Sequence, residues 1–341
     1  MTAPPARIFP PGRAGPNPRR QAPVPVLHPN DFRPGPSAAG LRLGRRGFLQ
    51  LVGLAAAVGP ILAGRAHAQA AGAAAPRMMD DGSLALTTGF VFPDAPPDAL
   101  AAAFDSADPN LPLAVPCTVP VLRLGDRTIL FDAGSGPMFM DSAGRLAASL
   151  EAAGISPADV TDVVFTHFHP DHLWGVTDDF DELTFPEAQY HMAQAEFDFW
   201  MAEDAVSNVD AGMETFVAGA RSRLPRLAER GRFFKDGDEP LPGIEVAATP
   251  GHSPGHCSFL LHLGGDPLLI TGDVFSHPLT IAHPQWRWGT DQDHDAAAAQ
   301  RHRMIDRAIS EKLRLAVFHM PAPGLGRIER GAEGARWVVE P

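Results

Sequence analysis

Cysteine is scarce: Cys117 and Cys257 are the only two among 341 residues. There is no CxxC pair, which excludes a thiolate metal cluster, and two widely separated thiols cannot make a disulfide framework. They could bridge in an oxidising compartment; the preferred reading is two free thiols packed as small buried hydrophobes. Long apolar runs are missing too. The run Leu51–Ala63 is too short for an ordinary membrane-spanning helix, so stable membrane insertion of the mature chain is not expected. Residues 69–341 hold 19 basic and 39 acidic side chains, a net of −20, with no Lys/Arg cluster. So acidic a body repels a phosphate backbone, and nucleic acid is not expected as a partner.

What is present is unevenly divided. Residues 1–68 carry nine Arg against one Asp. The first forty are dense in Pro, Arg and Gly without periodic apolar residues, a composition that cannot offset the entropy of ordering and reads as disordered. Arg45-Arg46-Gly47-Phe48-Leu49-Gln50 then leads into the apolar run, which closes on Ala66-His67-Ala68, a small-x-small cleavage pattern. Paired arginines, apolar core and cleavage site in this order resemble a twin-arginine export signal, with Gly44 where that family usually has Ser or Thr. The resemblance implies handling by the twin-arginine export machinery, cleavage near Ala68, and a periplasmic or secreted location. Residues 1–68 are then a removed leader, and residues 69–341 one α/β domain whose 45% hydrophobic fraction can build a core.

Within that domain, Leu84–Phe92 alternates and predicts a first strand. Val119–Leu124 and Thr128–Phe131, joined by Gly125-Asp126, predict a hairpin that ends in the Gly-rich turn Asp132–Gly136. Gly144–Ala153 has helical spacing, and Val160–Thr166 is a β-branched buried strand. Ala188–Met192 predicts a strand, Ala193–Glu203 a helix, and Met213–Arg230 a helical pattern broken by Pro225. Strands Gly243–Ala248, Ser258–Leu263 and Leu268–Thr271 precede a long helix, His294–Glu311, whose start Asp291 and Asp295 are expected to mark by capping and dipole effects. Leu315–Phe318 is a strand ending at His319, and Arg327–Arg330 with Arg336–Val339 would close as a hairpin.

Coordinating chemistry is concentrated in Thr166-His167-Phe168-His169-Pro170-Asp171-His172, where three imidazoles and a carboxylate share one short segment. Neutral imidazole is the commonest protein metal ligand, and a carboxylate among imidazoles suits a divalent cation. Strand after strand then ends in a ligand-type residue: His252 follows Gly251, Asp273 follows Gly272, and His319 follows Phe318. Ligands at several strand ends along one edge of a sheet core can converge.

The order HxHxDH, GH, GD, H resembles the metallo-β-lactamase-fold hydrolase superfamily over nearly all of the mature chain. The resemblance implies a four-layer αββα sandwich. Carried onto this sequence, His167, His169 and His252 would bind one metal, Asp171, His172 and His319 a second, and Asp273 would bridge both. Asp132 would orient ligands from behind, and His256 would either do likewise or cap its loop. Five His and two Asp suit two divalent ions, zinc first, with manganese, iron and cobalt tolerating the same set. The implied chemistry is hydrolysis by a hydroxide clamped between the ions, with Asp171 and Asp273 as the catalytic carboxylates and no serine nucleophile.

Ligand identity narrows the branch. An Asp at 273 disfavours antibiotic hydrolysis, because true β-lactamases of this fold lack that carboxylate. The stretches Phe185–Ala188, Glu196–Trp200, Thr249–His256 and His319–Gly326 resemble the branch of methyl parathion hydrolases and lactonase-like enzymes. An exported hydrolase of esters, lactones or phosphotriesters is expected, acting on a small molecule, with Phe90, Phe92, Phe168, Trp174, Phe275, Trp286 and Trp288 as the supply for an apolar entrance. The alternative is a glyoxalase II-like thioesterase, with Arg327, Arg330 and Arg336 as candidates for a glutathione carboxylate. A nuclease or a non-catalytic metal-binding protein fits the sequence less well. The remaining histidines (191, 262, 277, 283, 294 and 302) read as ordinary surface or strand residues, and a homo-oligomer is left open.

Overall fold

Strands pair into two six-stranded sheets in a computed structural model that describes residues 75–332 and 334–340. The leader, export signal and cleavage site expected within residues 1–68 lie outside the described residues. The first sheet takes its strands in sequence order: β1 (Arg77–Thr87), β2 (Pro112–Leu124), β3 (Arg127–Phe131), β4 (Asp162–Val164), β5 (Gln189–Ala193) and β6 (Gly231–Phe234). β1 to β3 form an antiparallel meander, and β3 to β6 run parallel. The second sheet holds β7 (Ile244–Ala248), β8 (Cys257–Leu261), β9 (Leu268–Ile270), β10 (Arg314–Ala316), β11 (Leu325–Gly331) and β12 (Gly334–Val339), antiparallel except for the β9–β10 pair. The helices are α1 (Thr88–Val91), α2 (Pro97–Phe104), α3 (Leu146–Ala152), α4 (Pro170–Leu173), α5 (Gln194–Met201), α6 (Glu214–Ala228), α7 (Pro278–Ala282) and α8 (His294–Ser310).

Side-chain alternation along the strands builds the layers, because successive residues face opposite sides of a sheet. In the first sheet Leu122, Ile129, Phe131 and Val164 face inward and meet Val246, Phe259, Leu261 and Ile270 of the second. The neighbours between them, Val121, Leu130 and Val163, turn outward and pack with Leu150, Val217 and Leu224 of α3 and α6. On the far side, Leu260, Leu269 and Leu315 carry Met304, Ile305 and Ala308 of α8. Three apolar interfaces separate four layers, and the chain is an αββα sandwich.

Two links pin the sheets together. The Thr118 N–H and Oγ1 both donate to the Phe318 carbonyl, at 3.0 and 2.9 Å. The Cys257 N–H donates to the Thr166 carbonyl at 2.9 Å. Both links lie beside ligand-type residues, so inter-sheet alignment and site geometry are one constraint.

The structure departs from the sequence reading at several elements. The predicted strand Leu84–Phe92 stops at Thr87, whose side chain accepts from the Phe90 N–H and starts α1. The cap wins over the alternation. β2 begins seven residues before Val119, at Pro112. α6 runs through Pro225, with Leu224 and Leu227 buried on either side of it. β6, too short to read in the sequence, adds the edge of the first sheet. Among the described residues no helix is long and apolar enough to cross a membrane, and both cysteines are buried and unpaired.

Gly175 shows how closely the site-bearing loops pack. Its N–H donates to the Gly134 carbonyl at 2.9 Å, and a Cβ added there would sit 2.1 Å from the Ala133 carbonyl oxygen. Neither backbone can yield easily. Gly175→Ala is expected to destabilise the fold by about 2–4 kcal/mol, read as a lower urea midpoint at unchanged m-value.

Candidate metal centre

The ligand-type residues occupy loops at the carboxyl ends of strands that run in the same sense within each sheet. Asp132 follows β3, His167–His172 follow β4, His252 follows β7, Asp273 follows β9 and His319 follows β10. The HxHxDH segment turns sharply because Pro170 takes the first position of α4, where its missing N–H is not needed. That single turn brings Asp171 and His172 back towards His167 and His169.

The structure brings together all seven ligands read from the sequence. Donor atoms of His167, His169 and His252 lie within 4.8 Å of one another, as do those of His167, His172 and Asp273. A third group joins Asp171 and His319 to Cys117, which the sequence reading left out. Asp273 lies between the sets, with Oδ2 3.4 Å from His252 Nε2 and 3.1 Å from His319 Nε2, and Oδ1 3.3 Å from His172 Nε2. All are buried.

Four of the five imidazoles are oriented from behind. Four rings have Nδ1 bound to protein, which leaves Nε2 for the centre. His172 Nδ1 donates to Asp132 at 2.8 Å, His252 Nδ1 to Asp291 at 3.0 Å, and His319 Nδ1 to the Pro116 carbonyl at 2.7 Å. His167 Nδ1 lies 3.0 Å from Thr166 Oγ1, whose own proton goes to Asp132. His169 is the exception: its Nδ1 lies 2.9 Å from His252 Nε2, a contact that one tautomer makes a hydrogen bond and that a shared cation would replace.

Asp132 sits in the left-handed backbone region at φ 71°, strain that ends β3 abruptly and turns its carboxylate under the His cluster. His256 accepts from the Asp273 N–H through Nε2 at 2.9 Å, so its Nδ1 carries the proton and faces Thr249 Oγ1 at 2.8 Å. It is thus a neutral prop under Asp273, and burial pushes its pKa down to about 3.

Electrostatics within the cluster are polarised. Burial, with help from neighbouring imidazoles, holds His167 and His169 well below the usual range. Burial would also lower His172 and His319, but Asp273 and Asp171 outweigh it and hold both well above. Asp171 and Asp273 fall below the carboxylate range, because these imidazoles overcome the upward push of burial. His167 Nε2, His172 Nε2, Asp171 Oδ2 and Asp273 Oδ1 are buried without a hydrogen-bond partner. Each such atom would cost about 1–3 kcal/mol if left so. Divalent cations among them satisfy all four, so these residues fit a metal centre by donor type and by unmet need.

Three supports escaped the sequence reading. Glu196 is fully buried and accepts from the Phe168 N–H, Trp200 Nε1, Ser253 Oγ and the Gly255 N–H at 2.7–3.1 Å. One carboxylate thereby clamps the His167–His172 loop to the His252 loop. Asp291 is not the helix cap expected; Asp293 caps α8 through the Ala296 N–H. Asp291 instead holds His252 and is itself held by buried Arg301 at 2.8 Å. Asp81 accepts from the Ser135 and Leu146 N–H groups and fixes the turn after Asp132. The stretch Gly251–Gly255 reads G-x-S-x-G, yet Ser253 Oγ is buried on Glu196 and the loop leads into β8 rather than a helix. It is no nucleophile elbow.

Of the expected entrance aromatics, only Phe90 and Trp288 line the cavity above the centre; Phe139 and Phe216 join them. Phe168 and Phe275 are core residues, and Trp174 packs against Arg223 and Phe139. Phe92 packs edge-on against Trp286 and Trp288. His191 is not a surface residue: it is buried on β5 against Asp162 at 2.9 Å. His277 is half-buried, and its Nδ1 accepts from the Leu279 N–H at the start of α7.

Fold and site together define a two-sheet αββα scaffold with a candidate metal centre at one edge. The profile of the Metallo-beta-lactamase superfamily matches residues 113–324, and the chain belongs to that superfamily. A probable metallo-hydrolase of Mycobacterium bovis is 28% identical over 197 residues, 50% of this chain and 60% of that protein. The N-acyl homoserine lactonase AttM of Agrobacterium fabrum is 32% identical over 127 residues, 37% of this chain and 45% of its own length. The chain thus spans well under two thirds of these relatives. Among solved structures, AidC, a dizinc quorum-quenching lactonase, superposes with a TM-score of 0.70 at 24% identity, covering 78% of this chain and 94% of AidC. At that identity the likeness is one of fold.

Glu196→Gln would replace an acceptor with an amide that turns two N–H bonds towards existing donors. Metal affinity is expected to fall about 10–100-fold, because both ligand loops lose their common clamp. Competition with a chromophoric chelator measures it; an unchanged affinity would remove the clamp from the account.

Proposed function

We propose that this protein holds two divalent metal ions and hydrolyses ester, lactone or phosphotriester bonds in uncharged, apolar small molecules. The observation that carries this reading is the cavity above the centre, of about 220 Å³. His169, Asp171, Asp273 and His319 form its polar part, and Leu84, Leu86, Phe90, Met140, Phe216 and Trp288 its apolar part. No Arg or Lys is among its lining residues, which favours a neutral ligand.

In this reading His167, His169 and His252 would hold one ion, Asp171, His172 and His319 the other, with Asp273 serving both. Zinc suits these donors best. Bound there, two divalent ions supply a strong nucleophile from water at neutral pH and polarise the substrate's carbonyl or phosphoryl oxygen. The chain's own part is positional. Asp273, propped by His256, sets the spacing between the two halves, and the apolar walls orient the substrate and keep bulk water out. Thr290 is the one lining residue that offers a side-chain hydroxyl for orienting a polar group.

The thioesterase alternative loses support from the arginines it needs. Arg327 is bonded to Asp266, Arg330 to Asp306 and Arg336 to Glu329, and none lines the cavity. S-Acylglutathione is therefore expected to be a poor substrate.

Elemental analysis is expected to give about two ions per chain. A panel of an N-acyl homoserine lactone, an aryl ester, an aryl phosphotriester and S-acylglutathione should show turnover of at least one neutral substrate. Asp273→Ala should lower that turnover by about two orders of magnitude or more. Inactivity on every neutral substrate with two ions bound would sink the proposal.

Export before or with maturation belongs to the same proposal, supported by Arg45-Arg46, the apolar run and Ala66-His67-Ala68. Replacing Arg45-Arg46 by Lys-Lys should leave the full-length chain in the cytoplasm of the host. Continued delivery across the membrane, seen by fractionation, would contradict it.

A further inference from the structure

We infer that Cys117 is a sulfur donor to the ion held by Asp171 and His319, which makes the two halves of the centre chemically unequal. This rests on reading the cluster as a metal centre. Cys117 is fully buried on β2, and its Sγ, an Asp171 carboxylate oxygen and a His319 imidazole nitrogen lie within 4.8 Å of one another.

The strand is built to put the sulfur there. The Pro116 carbonyl accepts from His319 Nδ1 at 2.7 Å and so turns the other ring nitrogen towards the centre. The Thr118 N–H and Oγ1 grip the Phe318 carbonyl. Cys117 lies between these two attachments, so its register against His319 is fixed on both sides. Its contact with the Val115 carbonyl is long, 3.9 Å, and does not commit the thiol elsewhere. A further observation points to a ligand at this place: apart from the His319 and His172 Nε2 atoms at 3.1 and 3.4 Å, the same candidate ligands, Asp171 Oδ2 is buried with no hydrogen-bond partner.

The opposite half offers His167, His169 and His252, three imidazoles and no sulfur. A thiolate is a soft donor, so the Cys117 half favours thiophilic ions such as zinc, cobalt or cadmium over manganese or magnesium. On binding, the S–H bond breaks, the proton leaves to solvent and the sulfur lone pair goes to the cation. Cys257 belongs to none of the three groups; its Sγ contacts the Gly255 carbonyl at 3.4 Å and provides the internal control.

The test is to load the full-length protein with cobalt and count ions per chain alongside its near-ultraviolet spectrum. A sulfur-to-cobalt charge-transfer band is expected in the wild type and in Cys257→Ser, and absent in Cys117→Ser. Preference for cadmium over manganese should fall about 10-fold or more in Cys117→Ser. Zinc-edge X-ray absorption on the wild type needs no variant, and should show one sulfur near about 2.3 Å. Two ions bound with neither band nor sulfur shell overturn the role of Cys117 and leave the dinuclear reading standing. A band that persists in Cys117→Ser overturns it too. Fewer than two ions per chain with no sulfur signal sinks both.

Discussion

Five imidazoles and two carboxylates can share so small a buried volume only if most of them are gripped from behind. That constraint organises the molecule. Asp132 takes the Thr166 N–H, Thr166 Oγ1 and His172 Nδ1; Asp291 takes His252 and Arg301; Glu196 spans two loops; His256 props Asp273. Every one of these holders is buried. Each is satisfied by protein donors, so the unmet polar need is gathered at the atoms that face inward.

The sandwich serves that arrangement. Parallel strands deliver their carboxyl ends to one edge, and short strands such as β4, β9 and β10, three residues each, act as spacers between loops. The interface between the sheets fixes which loop ends meet, and the Thr118–Phe318 and Thr166–Cys257 bonds hold them in register. Apolar residues from β1 and α6 then form walls over a floor of charge, so the approach to the centre favours molecules without charge of their own.

Much of this was legible in the sequence, for physical reasons. The ligands announce themselves because several lie in one short segment and the rest end buried strands, so pattern and chemistry coincide. Their holders do not. Besides Trp200, Glu196 meets partners 28 to 59 residues away, and Asp291 meets a histidine 39 residues before it; no local spacing encodes those contacts. Asp291 looked like a helix cap because it stands two residues from the real cap, Asp293, with the same side chain. Cys117 lies on a strand whose neighbours are apolar, and only the fold brings it beside Asp171 and His319. The end of β1 was misread because one threonine hydroxyl outweighed an alternation that ran on past it.

The clamp made by Glu196 and the link from His252 through Asp291 to Arg301 bear on how the centre comes into being. The HxHxDH segment stands at His167–His172, but Asp273, Asp291, Arg301 and His319 all lie more than a hundred residues after it. Without those later residues, the early histidines have only Asp132 and Glu196 behind them. A metal ion bound at the centre would therefore require that both sheets and α8 had closed around the site.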